Sequence, residues 1–126
     1  MVPLALALLG GAPAWADAIA DADAAFQRSD FPAAAALYRV AASEGDPDAQ
    51  MLLAFMYHDG QGVPKDLVRA YMWFAVAETI FDPTTQDFMD AGAARDITTK
   101  SMTPAQIDQA HAMAKACLAR NYKNCD

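Results

Sequence analysis

The sequence predicts an all-α chain, arranged as about three helical hairpins. Three observations carry this. Apolar residues recur with the helical period, no stretch alternates with period two, and β-branched residues are sparse. Several breaks place Pro just inside a start and Gly just past an end, which suits short turns between antiparallel helices. Residues 30–42 also reappear at 66–78, a displacement of 36 (66 minus 30). In that register Asp30 meets Asp66, Ala34 meets Ala70, Leu37 meets Trp73, Tyr38 meets Phe74, Val40 meets Val76 and Ala41 meets Ala77. Such a period is the length of a helix-hairpin repeat.

The first helix is expected from about Asp17 to Gln27, with Ala18, Ala22, Ala25 and Phe26 on one face. Ser29-Asp30 breaks it, and Pro32 suits the first turn of a second helix that reaches about Ser43. Its inward residues are predicted to be Ala36, Leu37, Val40 and Ala41, with Gly45 closing the end. Asp46-Pro47 opens a third helix, about Pro47 to His58, that is apolar nearly all round and therefore buried between neighbours or partnered. After the loop from Gly60 to Lys65, Asp66 caps a fourth helix bearing Ala70, Tyr71, Trp73, Phe74 and Ala77, ending near Ile80. Asp82-Pro83 is expected to start a fifth segment reaching about Lys100, although Gly92, Thr98 and Thr99 weaken it. Thr103-Pro104 starts a sixth, with Ile107, Ala110, Ala114, Cys117 and Leu118 on a shared face.

At the N-terminus, Leu4 to Leu9 form an apolar run followed by Gly10-Gly11 and then Ala14-Trp15-Ala16. This pattern reads as a secretory signal peptide over residues 1–16, cleaved after Ala16, although no Lys or Arg precedes the run. The alternative is a short N-terminal core helix. The run is too short to span a bilayer, so no stable membrane insertion is expected after cleavage. The expected location is periplasmic or secreted. There an isolated cysteine pair, Cys117 and Cys125, reads as a disulfide clasping the tail to the last helix. Closing that loop is worth roughly 2.5 kcal/mol in the chain-entropy picture. Redox-active spacing is lacking. The domain reading is therefore a leader at 1–16, a repeat region at 17–82 and a capping helical hairpin with a clasped tail at 83–126.

A longer ordered string then stands out: Ala36-Leu37-Tyr38, Ala41-Ala42, Gly45-Asp46, Ala49-Gln50, Leu53-Ala54, Tyr57, Gly60-x-Gly62-Val63-Pro64-x-Asp66, Ala70-Tyr71, Trp73-Phe74 and Ala77. It resembles the Sel1-like repeat, a relative of the TPR, over about residues 30–78. Residues 17–29 resemble a degenerate first TPR-type helix, and Met102 to Gln106 resemble the closing helix found after short Sel1 arrays in exported bacterial proteins. The resemblance implies scaffold roles for Tyr38, Ala49, Leu53, Tyr57, Gly60, Gly62, Val63, Asp66, Ala70, Trp73 and Ala77. Small alanines let helices approach closely, large aromatics fill the remaining space, and the two glycines permit positive φ. It also implies a short right-handed α/α superhelix (a solenoid), and a scaffold or adaptor that binds another protein on a concave surface.

Function classes narrow by exclusion. The formal net charge is −7 and the Lys and Arg residues are scattered, so no basic stripe serves nucleic acid or anionic lipid. Gly60-Gln61-Gly62 lacks the context of a phosphate loop, and neither a nucleophile motif nor metal-ligand spacing occurs around His58 or His111. No catalytic residue, metal or cofactor is assigned. On the third helix, removing the scaffold positions leaves Met51, Phe55 and His58 as a candidate partner-binding stripe, the alternative being that this stripe packs on its neighbours. The function expected is a non-catalytic protein–protein interaction module of the bacterial cell envelope. Two alternatives stand beside it: structural self-association through the third helix, and a cell-wall or β-lactam-related activity as in cysteine-rich Sel1 relatives. Those relatives carry a cysteine pair per repeat, which this chain lacks.

Overall fold

The computed structural model describes residues 13–126, so the leader up to residue 12 lies outside the described residues. Those residues form six helices and no strand: α1 (Ala14–Gln27), α2 (Phe31–Ser43), α3 (Pro47–Asp59), α4 (Leu67–Ile80), α5 (Gln86–Thr99) and α6 (Pro104–Ala119). Helix α1 thus runs across the expected cleavage point, and Trp15 packs half-buried against the core.

The starts follow from side-chain capping. Asp30, Asp46, Asp66, Thr85 and Thr103 each accept a hydrogen bond from the backbone N–H three residues on. Each such cap stabilises its helix by about 1 kcal/mol. At α6 the Gln106 side chain returns the favour to the Thr103 N–H at 2.9 Å, completing a capping box. Helix α5 begins three residues later than expected. Asp82 folds back instead on Thr84, whose N–H and hydroxyl donate to Oδ1 at 2.8 and 2.7 Å. That local turn removes Asp82 as a cap and leaves Thr85 to start the helix.

Packing runs α1 on α2, α2 on α3 and α3 on α4, after which α4 receives both α5 and α6. The closing pair therefore departs from a simple hairpin. Each has a narrow buried stripe, Ala91 and Thr98 on α5 and Ala110, Ala114 and Cys117 on α6. Both stripes are met by α4, where Ala70 through Phe74, Val76 and Ala77 are all buried. The inward face of α2 also differs from expectation. Ala34, Ala35, Tyr38, Ala41 and Ala42 are buried, while Ala36 is exposed, Val40 is 49% exposed and Leu37 is half-buried. A run of four alanines has no periodicity to read, so Tyr38 and its i±4 neighbours set the true face. Phe26 is likewise 38% exposed, edge-on to Phe31 rather than inside.

The Gly60–Lys65 loop returns the chain from α3 to α4 beside α2. At Gly62, φ is +76°, and a Cβ there would collide with the Phe31 carbonyl. Val63 tucks half-buried against the core. After α6 the tail folds back: Cys117 and Cys125 are joined and both buried, the Tyr122 ring lies against Gly45, and Lys123 Nζ meets Glu44 at 2.9 Å.

Two outcomes follow. Gly62→Ala should lower unfolding stability in urea by about 2 kcal/mol or more, since it combines left-handed strain with a backbone collision. Thiol titration of unfolded, unreduced protein should find no free sulfhydryl. Reduction should lower stability by roughly 2–3 kcal/mol, read as a shift of the urea midpoint.

Candidate functional site

Two surfaces carry chemistry, and both are built on the α3–α4 hairpin. On the first, Phe55 and His58 of α3, Phe74 of α4 and Asp90, Ala93, Ala94 and Ile97 of α5 line a groove of about 230 Å³. Phe74 is fully buried at its floor, and Phe55 stands edge-on to it with ring centroids 4.9 Å apart. Phe55 is 40% exposed and Ile97 55%, so the two aromatic rings and the isoleucine form an apolar slot open to water. Leu52, one turn earlier on α3, and Met89 on α5 extend exposed apolar surface along the same helices. A contiguous exposed apolar cluster of this kind is the type of surface that marks an interaction site.

Asp90 of α5 lines the slot, and Asp48 of α3 and Asp87 of α5 lie near each other on the same two helices. Burial, with the charges of Asp46 and Asp87 behind it, pushes the Asp48 carboxyl above the ordinary carboxylate range. Asp46 is already committed to capping α3. The negative charge here is therefore crowded, and no Lys or Arg lines the slot itself. His58 Nδ1 sits 2.8 Å from Asp59 Oδ1 at the exposed end of α3.

Of the three residues on the expected stripe, Phe55 and His58 come together in this groove. Met51 does not. It is half-buried and packs against the core. His111 lies elsewhere, with its Nε2 2.7 Å from the Tyr71 hydroxyl between α4 and α6. Among the described residues no group of three His, Cys, Asp or Glu is placed to hold a metal, and no helix is long and apolar enough to cross a membrane.

Leu53 and the motif alanines other than Ala36 are buried, Gly60 and Gly62 have φ of +68° and +76°, and Asp66 caps α4 while pairing with Arg69 at 2.6 Å. Besides Tyr71, three aromatics of the motif carry polar tips. Tyr38 donates its hydroxyl to Asp23 of α1, and burial followed by that neighbouring carboxylate holds its pKa well above the phenolic range. Tyr57 and Trp73 point their polar tips at a second surface. There the Asp126 carboxylate accepts from Arg39 Nε, from the Tyr57 hydroxyl at 2.7 Å and from Trp73 Nε1 at 2.8 Å. Arg39 also donates through Nη2 to the Tyr57 oxygen at 3.1 Å, which fixes the hydroxyl hydrogen toward Asp126. Arg39 and Asp126 are absent from the residues that the sequence reading singles out. Arg39 is nonetheless the only charged side chain on α2, set among alanines. The buried ring N–H of Trp73 requires an acceptor that no sequence neighbour supplies.

The family model of the Sel1 repeat matches residues 19–46 and 47–77. Compared with curated proteins and with solved structures, the chain has no significant match. The first matched repeat spans most of α1 and all of α2, and the second spans α3 and most of α4. The groove of Phe55 thus belongs to the second repeat and to the helix that follows it.

Phe55→Ala should cost less than about 1 kcal/mol, because its ring is already half in water, whereas Phe74→Ala should cost about 3–5 kcal/mol. Thermal unfolding of the two variants measures the difference. Equal losses would place Phe55 in the core.

Proposed function

This chain is a Sel1-like repeat protein, and on that premise we propose that it is a non-catalytic adaptor or regulator that binds another protein in the bacterial cell envelope. Sel1 repeats are generally protein-interaction modules and typically non-catalytic. The observation that carries the finer reading is the slot around Phe55. It offers an aromatic floor, an apolar rim and one lining carboxylate, Asp90. A fitting partner inserts one large apolar side chain, with a Lys or Arg beside it to meet Asp90. Apolar anchoring supplies affinity in such an arrangement, while the charges set orientation and association rate. Two features favour an exported setting: the leader pattern at residues 1–16, and a cysteine pair that forms a disulfide in the tail.

A photo-crosslinking amino acid placed at Phe55 in the full-length chain, expressed in its native host, tests this reading. The expected result is a light-dependent adduct of discrete mass with a different protein, absent when the label sits at Asp108 on α6. The protein purified from the envelope should begin at Asp17. An adduct only with a second copy would replace the adaptor with a self-assembling protein, and no adduct at Phe55 would remove the groove as the binding site.

A further inference from the structure

The Asp126 cradle is a binding site that the groove reading does not use. Its three donors come from three successive helices: Arg39 from α2, Tyr57 from α3 and Trp73 from α4. All three converge on one carboxylate. Tyr57 is 6% exposed and Trp73 only 1%, so two of them are fixed by the core and do not depend on the tail for their placement. Without Asp126, Arg39 would have no ion-pair partner among the described residues, and the buried Trp73 N–H would have no acceptor. The neighbouring Arg69 is already paired with Asp66. The empty cradle would therefore carry one uncompensated positive charge beside two neutral donors, which is what a carboxylate requires.

Arg39 and Asp126 border two spaces, which form two arms meeting at the carboxylate. One, of about 320 Å³, is lined further by Ala36, Val40, Ser43 and Trp73 and by the tail at Tyr122, Asn124 and Cys125. The other, of about 470 Å³, is lined further by Tyr57, Pro64, Asp66 and Arg69. A small free acid would occupy the centre alone. An extended peptide carrying an acidic side chain would occupy the centre and both arms.

The tail is anchored at Cys125, which is tied to Cys117 and buried, and Asp126 follows that anchor directly. Rotation about the bonds of Asp126 would vacate the cradle with the disulfide and the helices unchanged. The approach to that anchor is also strained, since Asn121, Tyr122 and Asn124 all lie in the left-handed region without being glycine.

We propose that Arg39, Tyr57 and Trp73 form a receptor for an Asp or Glu side chain on an extended segment of a partner protein, and that Asp126 is its intramolecular competitor. The partner chemistry is opposite to that of the Phe55 slot, and the site stands whether or not the slot binds a protein. The tail keeps the receptor closed until a segment offering more contacts along both arms displaces one side chain.

The test uses the full-length, oxidised chain and a fluorescein-labelled peptide, Gly-Ser-Ala-Glu-Ala-Ser-amide, with its Gln counterpart. In fluorescence anisotropy, Asp126→Ala should bind the Glu peptide at least tenfold more tightly than the wild-type chain does. It should also prefer Glu over Gln by at least tenfold, and Arg39→Gln in the same background should erase that preference. If Asp126→Ala loses helical circular dichroism, Asp126→Asn, which keeps an acceptor for Trp73, takes its place with the same expectations. Equal binding by wild type and the Asp126 variant, no preference for Glu over Gln, or a preference that survives Arg39→Gln would each overturn the proposal. Because the Phe55 crosslink is read on another surface of the unaltered chain, failure here is distinguishable from failure of the adaptor reading.

Discussion

Helix α4 has almost no solvent side: Ala70 through Phe74, Val76 and Ala77 are buried, and α3, α5 and α6 all pack on it. Everything else is arranged around keeping that helix dry. Burying Trp73, Phe74, Met72 and Val76 contributes on the order of 1.5–3 kcal/mol each from the apolar surface removed from water. The helices around it present buried alanines at Ala49, Ala54, Ala91, Ala110 and Ala114, so the backbones approach closely and the large residues of α4 fill the gaps. The pattern also explains why the chain departs from strict repetition after residue 80. An isolated second repeat would leave the far side of α4 in water, and α5 and α6 both spend their buried stripes covering it.

How far this was legible from the sequence depends on how much each residue says about its surroundings. Caps were legible because Asp and Thr before Pro or before an apolar run have few other uses, and Asp46, Asp66 and Thr103 stand where the reading put them. Asp82 misled because the same side chain closes a turn as readily as it starts a helix. The face of α2 was illegible because alanine fits core and surface alike; only Tyr38 carried directional information there. Phe55 and His58 were placed together by helical spacing, but the slot also needs α5, whose Ile97 and Ala93 approach α3 only once α4 is in position. The Asp126 contacts were beyond reach for a different reason. They join residues 39, 57, 73 and 126, and no local rule links positions that far apart.

The scaffold aromatics have two functions, and the structure separates them. Tyr57 and Trp73 fill the space beside the alanines with their rings, as the repeat requires. Their polar tips then need partners, because a buried hydroxyl or ring N–H left unsatisfied costs about 1–3 kcal/mol. A solenoid built from such residues therefore exposes a row of oriented donors along one side as a by-product of its packing. Placing Arg39 in that row turns the requirement into selectivity for an anion. The same reasoning covers Tyr38, whose hydroxyl finds Asp23 in the preceding helix.

Charge then distinguishes the two sides of the α3–α4 hairpin. Phe55 and Tyr57 are two residues apart on α3, about 200° around the helix, so the slot and the cradle face away from each other. The slot is lined by Asp90 with no Lys or Arg among its lining residues, while the cradle carries Arg39 and Arg69, balanced by Asp126 and Asp66. A chain of net charge −7 could have spread its few cations evenly, yet these two arginines sit on one surface. Like charges across an interface are costly, so each side rejects what the other prefers. On the two proposals, a basic, apolar segment suits the slot and an acidic, extended one the cradle. Both surfaces rest on α3 and α4, the second of the two Sel1 repeats, and the rigidity that α4 derives from complete burial is what fixes the donors of one and the aromatic floor of the other.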